Sequence, residues 1–447
     1  MGGSRLIADF VTETSWNRIP ADTQRIARMA LLDSVGATLA GTQTPVSRIA
    51  ADVAATCWSG DASTIFLHAR RSSAAGAAFA NAYAANAIDI DDCALYTKGH
   101  PGAQIVPTAL ALSEALTLSG RDLLTGIVVG YEVAHRAARI WHATHDVYQA
   151  CGSWGSMACA AVASHLMELN AEQTRHALGV AEYHAPNLPM MRDIDHPAMV
   201  KHGVGWGAMN GILSAQLAER GFTGIPSLFD FQSHQDWVAD IGDHYIMTDG
   251  LAWKRYACCA WVHAIIMAAD QLMTAYDFTA GEIDHVVVET FHEALCLGTD
   301  LPTTTEEAQF NLAWPVAAFI VDGEVGPDQI LTPVLARKEI RDLAQRISVV
   351  ETEEMTRLYR LACQGNPEGK YVSRVTFRLR DGRALESDAV EGEINYPQRT
   401  WDLDSLEDKF RWLTVRVLEP DHTDRVLETI HAAEHLSDVK DLTALLS

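Results

Sequence analysis

The stretch AIDIDDCALYTKGHPG, residues 87–102, holds three aspartates, Asp89, Asp91 and Asp92, and a histidine, His100, set against Pro101. Two chemistries fit those residue types. A histidine near a carboxylate is a general acid or base, because imidazole titrates near neutrality. Clustered carboxylates at a helix end instead suit Mg²⁺. If the small-residue run SSAAGAAFANAYAANA continued as helix through Asp92, then Asp89 and Cys93 would share one face with Asp92 beside them. His100 must sit in loop or extended backbone, since the residue before a proline is pushed out of helical geometry. A capping aspartate in a solvated polar loop explains the same letters, and the metal alternative lacks a second acidic cluster at matching spacing.

Two further stretches carry cations. In MMRDIDHPAMVKHGVGWGAMNG, residues 190–211, Lys201 and His202 precede Gly203, Gly205 and Gly207 at the start of a helix. A lysine beside a glycine-rich helix start favours an anion, although glycines alone would also serve tight helix packing. No strand precedes the run, so it is not a dinucleotide loop. Arg192 and His196 in its polar lead-in either line a pocket or cap a loop. In LAWKRYACCAWVHAII, residues 251–266, Lys254 and Arg255 interrupt apolar sequence where the pattern of elements changes. Small-molecule clefts favour such junctions, and a pair of surface charges is the plainer alternative. His263, on an apolar helical face, and Trp314, in an apolar helix, read as core.

The elements that must position these groups are mostly helices. From residue 5 to about 270 the apolar residues recur at three- and four-residue intervals, with alanine and glycine on the faces for close helix approach. Pro107 is expected in the first turn of its helix. Near residue 280 strands appear: IDHVVVETF, then SRVTFRLRDGRALES as a hairpin turning at Asp381-Gly382. After Pro397 the pattern returns to helix. The expectation is a mainly α protein: a large all-α helical domain, residues 1–255, an inserted α+β unit, residues 256–398, and C-terminal helices, residues 399–447, that rejoin the helical domain.

Composition narrows the function. At 447 residues the chain is long for one compact domain. A formal charge of -24, from 34 Lys+Arg against 58 Asp+Glu, argues against nucleic acid while leaving room for a small anion held by a few focused cations. No apolar run reaches the about 20 residues of a membrane span, and MGGSRLIADFVTETSW carries acids where a signal peptide needs its apolar centre. The chain therefore reads as cytoplasmic, and its eight cysteines as buried thiols rather than a disulfide framework.

Taken together, AIDIDDCALYTKGHPGAQIVPTALALSEAL, MVKHGVGWGAMNGILSAQLAERGFTG and WKRYACCAWVHA resemble the MmgE/PrpD family, which includes 2-methylcitrate dehydratase, cis-aconitate decarboxylase and iminodisuccinate epimerase. GYEVAHR, AQFNLAWPVAAFIVDGEV and LEDKF are weaker echoes in the same order. The resemblance implies a homodimer in which the α+β unit is a lid over an active site that uses no metal or cofactor. It matches Asp89 and His100 to the family's catalytic pair and Lys201 and Lys254 to its active-site lysines. Cys93, Gln149, Arg192, His202, Arg255 and Cys259 are the expected substrate contacts. Cys93 stands where relatives commonly have threonine, Gln149 lies in a motif that usually holds histidine, and Trp314 replaces a frequent tyrosine.

The implied chemistry is proton movement at a carbon beside a carboxylate, with His100, or a lysine that loses its proton, moving the proton and Asp89 orienting the imidazole. A cofactor-independent lyase that dehydrates a 2-methylcitrate-like di- or tricarboxylate is the leading expectation. Decarboxylation of a cis-aconitate-like acid and epimerisation of an amino dicarboxylate use the same groups. A Mg²⁺-dependent helical enzyme and a non-catalytic dimeric binding protein are the remaining alternatives.

Overall fold

The computed structural model describes residues 2–392 and 401–447. The protein is mainly α. Its central helices are Ala21–Gly41, Ala74–Ala85, Gly102–Leu116, Gly120–Thr144, Cys151–Leu166 and Val204–Glu219. Small residues let them touch backbone to backbone. A Cβ added at Gly152 would lie 2.2 Å from the Gly203 carbonyl oxygen, and one at Gly211 would lie 2.4 Å from Cys159 Cβ. Among the described residues no helix is long and apolar enough to cross a membrane.

The apolar residues of these helices form one hydrophobic cluster that also takes in Leu406, Phe410, Val426, Leu427, Ile430 and Leu446 from the C-terminal helices. Phe410 lies against Gly36, where an added Cβ would come within 2.9 Å of its ring. The two ends of the chain thus share one core. A second cluster gathers residues from Tyr256 to Leu385 with a few from the helical side, among them Ile88, Ile90, Met190 and Ile194. The expected boundary at residues 398 and 399, and Pro397 with it, lies outside the described residues.

The second cluster is built on one sheet. Ile283–Thr290 pairs parallel with Ile347–Glu351 and antiparallel with Val372–Leu379, which also pairs with Ala384–Glu386 and Val390–Glu391. Val286 and Val288 bury one face of the first strand, as alternation in IDHVVVETF requires. The hairpin turns at Gly382, whose φ of 92° only glycine adopts freely.

Two expectations change. The Ala74–Ala85 helix stops before the aspartates, so Asp89 and Cys93 do not share a helical face. Asp89 has φ 52°, and Cys93 begins a two-residue strand, Cys93–Ala94, paired antiparallel with Leu251–Ala252. Pro107 sits inside the Gly102–Leu116 helix instead of in its first turn, because the helix begins immediately after Pro101.

Lys409, from LEDKF, fastens the C-terminal helix to this region. Its Nζ lies 2.5 Å from Asp33 Oδ1 and donates to the Ile90 carbonyl at 2.8 Å, with both side chains buried. Breaking one side of a buried ion pair leaves an uncompensated charge. Lys409→Met is therefore expected to lower the unfolding free energy by about 3–5 kcal/mol in urea titrations. A change below about 1 kcal/mol would contradict a structural role for this pair.

Candidate active site

The short Cys93–Ala94 and Leu251–Ala252 pairing brings the aspartate stretch beside the Lys254 segment. Lys254 Nζ then lies 3.1 Å from Asp89 Oδ2 and also donates to the Asp89 carbonyl. His100 approaches from the other side, its Nε2 3.1 Å from Asp89 Oδ1. All three side chains are buried. Lys254 and His100 each approach one oxygen of the buried Asp89 carboxylate to 3.1 Å.

The opposite imidazole nitrogen is held as firmly. His100 Nδ1 donates to the Asp92 carbonyl at 2.8 Å and lies 3.3 Å from Asp91 Oδ2. Asp91 also accepts from Asn86 Nδ2 at 3.0 Å. The His100 backbone N–H points at Cys151 Sγ, 3.2 Å away. Burial pushes the imidazole toward neutrality, but Asp91 and Asp89 outweigh it and raise its pKa to about 10. Burial likewise pushes the Asp89 carboxyl up, and Lys254, His100 and Lys201 together carry it well below the usual carboxylate range.

Asp92 does something different. Its Oδ1 accepts from Gly102 N at 3.0 Å and its Oδ2 from the Tyr131 hydroxyl at 2.7 Å. Burial, with Asp33 and Asp91 nearby, lifts its pKa to about 7. Thus the three aspartates of one tetrapeptide have separate duties. Asp89 faces Lys254 and His100, Asp91 steadies the rear of the imidazole, and Asp92 fixes the loop to the next helix.

The second motif arrives through strained backbone. Lys201, His202 and Gly203 have φ of 42°, 54° and 65° in succession, a run of left-handed residues that non-glycine side chains disfavour. It places the His202 ring parallel to that of His100, with centroids 5.5 Å apart. Asp193 Oδ2 holds His202 at Nδ1, 2.8 Å, and accepts from its backbone N–H at 3.1 Å. Lys201 Nζ donates to Gln309 Oε1 at 2.7 Å and lies 5.1 Å over the Phe310 ring.

Asp89, Cys93, His100, His202 and Cys259 line one cavity. Lys201 and Lys254 are fully buried behind that lining. Gln149 is buried outside it, its Oε1 accepting from Leu188 N at 2.6 Å, which clamps the loop leading to Met190. Arg192 is exposed. Arg255 is exposed in a different cleft, 5.6 Å over the Trp401 ring. Trp314 is core, its indole N–H donating to the Gln329 carbonyl at 2.8 Å, and His263 and both its neighbours are buried.

The cavity also holds Cys151, Tyr148, Trp261, Phe310, Tyr359 and Tyr371, none of them expected as a substrate contact, although Trp261 lies within WKRYACCAWVHA and Phe310 within AQFNLAWPVAAFIVDGEV. No local pattern distinguishes these aromatics from core residues, because they meet only through the tertiary fold. Burial keeps the cavity thiols protonated, with Cys259 raised to about 12 and Cys93 pushed up as well.

Asp89, His100 and His202 bring ligand-type atoms within 4.8 Å of one another. That donor set suits a cation poorly. Both His100 nitrogens already face carboxylates, and Asp89 already faces an ammonium.

The MmgE/PrpD N-terminal domain matches residues 5–237 and the MmgE/PrpD C-terminal domain matches residues 256–435. The chain belongs to the MmgE/PrpD family. It is 24% identical to a cis-aconitate decarboxylase-like protein of Aspergillus oryzae, over 99% of this chain and 96% of that one. It is 22% identical to cis-aconitate decarboxylase of Aspergillus terreus, over 99% and 95%. Human cis-aconitate decarboxylase is 25% identical over 95% and 90%.

The His100 pKa has a consequence for stability. A folded-state pKa raised from 6.5 to about 10 contributes stability that is complete below about pH 6.5 and is lost as pH rises through about 10. The difference in unfolding free energy between the wild type and His100→Gln should therefore shrink from about pH 7 to about pH 10, followed by urea unfolding at each pH. A difference that stays constant across that window would contradict the charged imidazole.

Proposed function

We propose that the chain is a lyase that decarboxylates a small unsaturated carboxylic acid, with His100 as the proton donor. The observation that carries this reading is the imidazole held between Asp89, 3.1 Å away, and Asp91, 3.3 Å away, at the wall of the cavity. Two carboxylates keep it charged, and a charged imidazole gives a proton rather than taking one.

Decarboxylation asks for little else. One C–C bond breaks as CO₂ leaves, and its electron pair spreads over the neighbouring double bond and carboxylate. One proton from His100 then forms a C–H bond, and solvent restores the imidazole's proton. Lys201 and Lys254 supply fixed positive charge behind the cavity, the arrangement that stabilises a developing anion. Asp89 keeps the imidazole oriented and charged. The curated relatives named for cis-aconitate decarboxylation, aligned over nearly the whole chain, support the same reading.

Dehydration of a hydroxy acid is the second reading. The same imidazole would protonate the departing hydroxyl, but that reaction, like epimerisation, also removes a proton from carbon and needs a base. Asp89 is held well below the usual carboxylate range and Lys254 above the usual ammonium range, so neither of these two is a ready base.

In this reading the sheet-bearing unit is the lid, since it supplies Trp261, Phe310, Tyr359 and Tyr371 to the cavity. The chain also works as a homodimer. The Val204–Glu219 helix is apolar around most of its circumference, yet exposes Trp206, Leu213 and Leu217 by 46%, 40% and 40%, and a helix of that kind is normally covered. Leu213→Glu with Leu217→Glu should halve the mass seen by light scattering. A wild type that already runs as a single chain would contradict the pairing.

The reaction is tested with a panel of unsaturated and hydroxy di- and tricarboxylates, following CO₂ release and new C–H bonds in D₂O. His100→Ala should lose about a hundredfold or more of the turnover, and EDTA should leave it unchanged. Water loss from a hydroxy acid without CO₂ release would transfer the assignment to the second reading.

A further inference from the structure

We infer that the acid accepted by this cavity carries at most two carboxylates and a sizeable apolar substituent in place of a third. The inference rests on the reading of the site as a carboxylic acid lyase and specifies which acids it takes.

Charge sets the first half. The cations gathered at the site are His100, Lys201 and Lys254, and the carboxylates facing them are Asp89 and Asp91. Three against two leaves one positive charge in excess when Asp92, whose pKa is raised to about 7, is protonated. Asp33 faces Lys409, and Asp193 is taken up by hydrogen bonding to His202. Lys98, half-buried at the cavity wall with its Nζ 5.8 Å over the Tyr148 ring, adds one more. Arg192 and Arg255 lie outside the lining and are exposed. Two uncompensated cations suit two carboxylates; a third would enter a buried site with no partner, which is costly.

The rest of the wall sets the second half. The sheet-bearing unit contributes Trp261, Phe310, Tyr359 and Tyr371, and the helical side adds Leu95 and Met190. The aromatic wall is braced from behind. Phe291 stacks on Tyr359 at 4.3 Å and 5°, and Tyr359 meets Tyr371 edge-on at 4.9 Å and 80°. Among the polar ends, Tyr371 Oη contacts Cys363 Sγ at 3.8 Å and Tyr148 donates to the Lys98 carbonyl. The lining also includes the thiols Cys93, Cys151 and Cys259, which are weak hydrogen-bond donors and behave as small hydrophobes. A carboxylate set against this wall would lose its hydration for few hydrogen bonds in return, whereas an alkyl or aryl group would bury apolar surface.

Three unreactive acids test this by titration calorimetry on the wild-type protein: succinate, its 2-butyl derivative, and propane-1,2,3-tricarboxylate. The butyl derivative should bind at least about tenfold more tightly than either of the others, the effect of burying roughly two methylenes. Trp261→Ala should erase most of that preference. Equal or tighter binding of the tricarboxylate overturns the inference and leaves the lyase reading standing. Binding of none of the three overturns the inference as well, and the turnover panel then decides separately whether the lyase reading survives.

Discussion

The buried Asp89 carboxylate, held between Lys254 and His100, is the constraint on which the rest of the site depends. An ion taken out of water costs several kcal/mol unless its partners come with it. Here the partners come from segments about 165 and 11 residues away in sequence, so the site exists only when the fold is complete. The two-residue strands at Cys93 and Leu251 are the local device that brings the first of these together. Because the cations also charge the site, one arrangement both offsets the burial of Asp89 and fixes the proton on His100.

Helix packing explains why this can be done so compactly. Glycine and alanine faces let the Cys151–Leu166 and Val204–Glu219 helices approach until backbone meets backbone. That approach sets the left-handed turn at Lys201–Gly203 against Gly152. The turn stores strain, which surrounding structure must offset, and it delivers His202 flat against His100 and Lys201 to Gln309. The C-terminal helix closes the arrangement from the far side through Lys409, whose hold on Ile90 O lies one residue from Asp89. Catalytic geometry and stability therefore draw on the same buried charges.

Much of this was legible in the sequence. Helical periodicity, the strand run at Ile283 and the hairpin at Asp381-Gly382 each correspond to an observed element, because local patterning decides them. The convergence of Asp89, His100, His202 and Lys254 could be anticipated from motifs, although not its geometry. The extension of helix through Asp92 failed because the carboxylates find partners in a turn, and no local rule weighs a lysine at position 254. Only the fold separates Asp91 from Asp92, standing its oxygen 3.3 Å from His100 Nδ1. Gln149, Arg192 and Arg255 are polar residues near the motifs that the fold turns toward a loop clamp, solvent and another cleft. The aromatic wall could not be assembled in advance: Trp261 and Phe310 lie within the motifs, but the members are spread from Tyr148 to Tyr371 and share no spacing.

The central claim is that His100 is a charged proton donor at neutral pH, made so by the two carboxylates that flank it. Nitrogen-15 chemical shifts of the His100 imidazole, followed across pH in the ligand-free protein, test it most directly. Both nitrogens should remain protonated through pH 8 and titrate only toward about pH 10. A neutral ring at pH 7, with one nitrogen bare, would contradict the claim and make His100 a base.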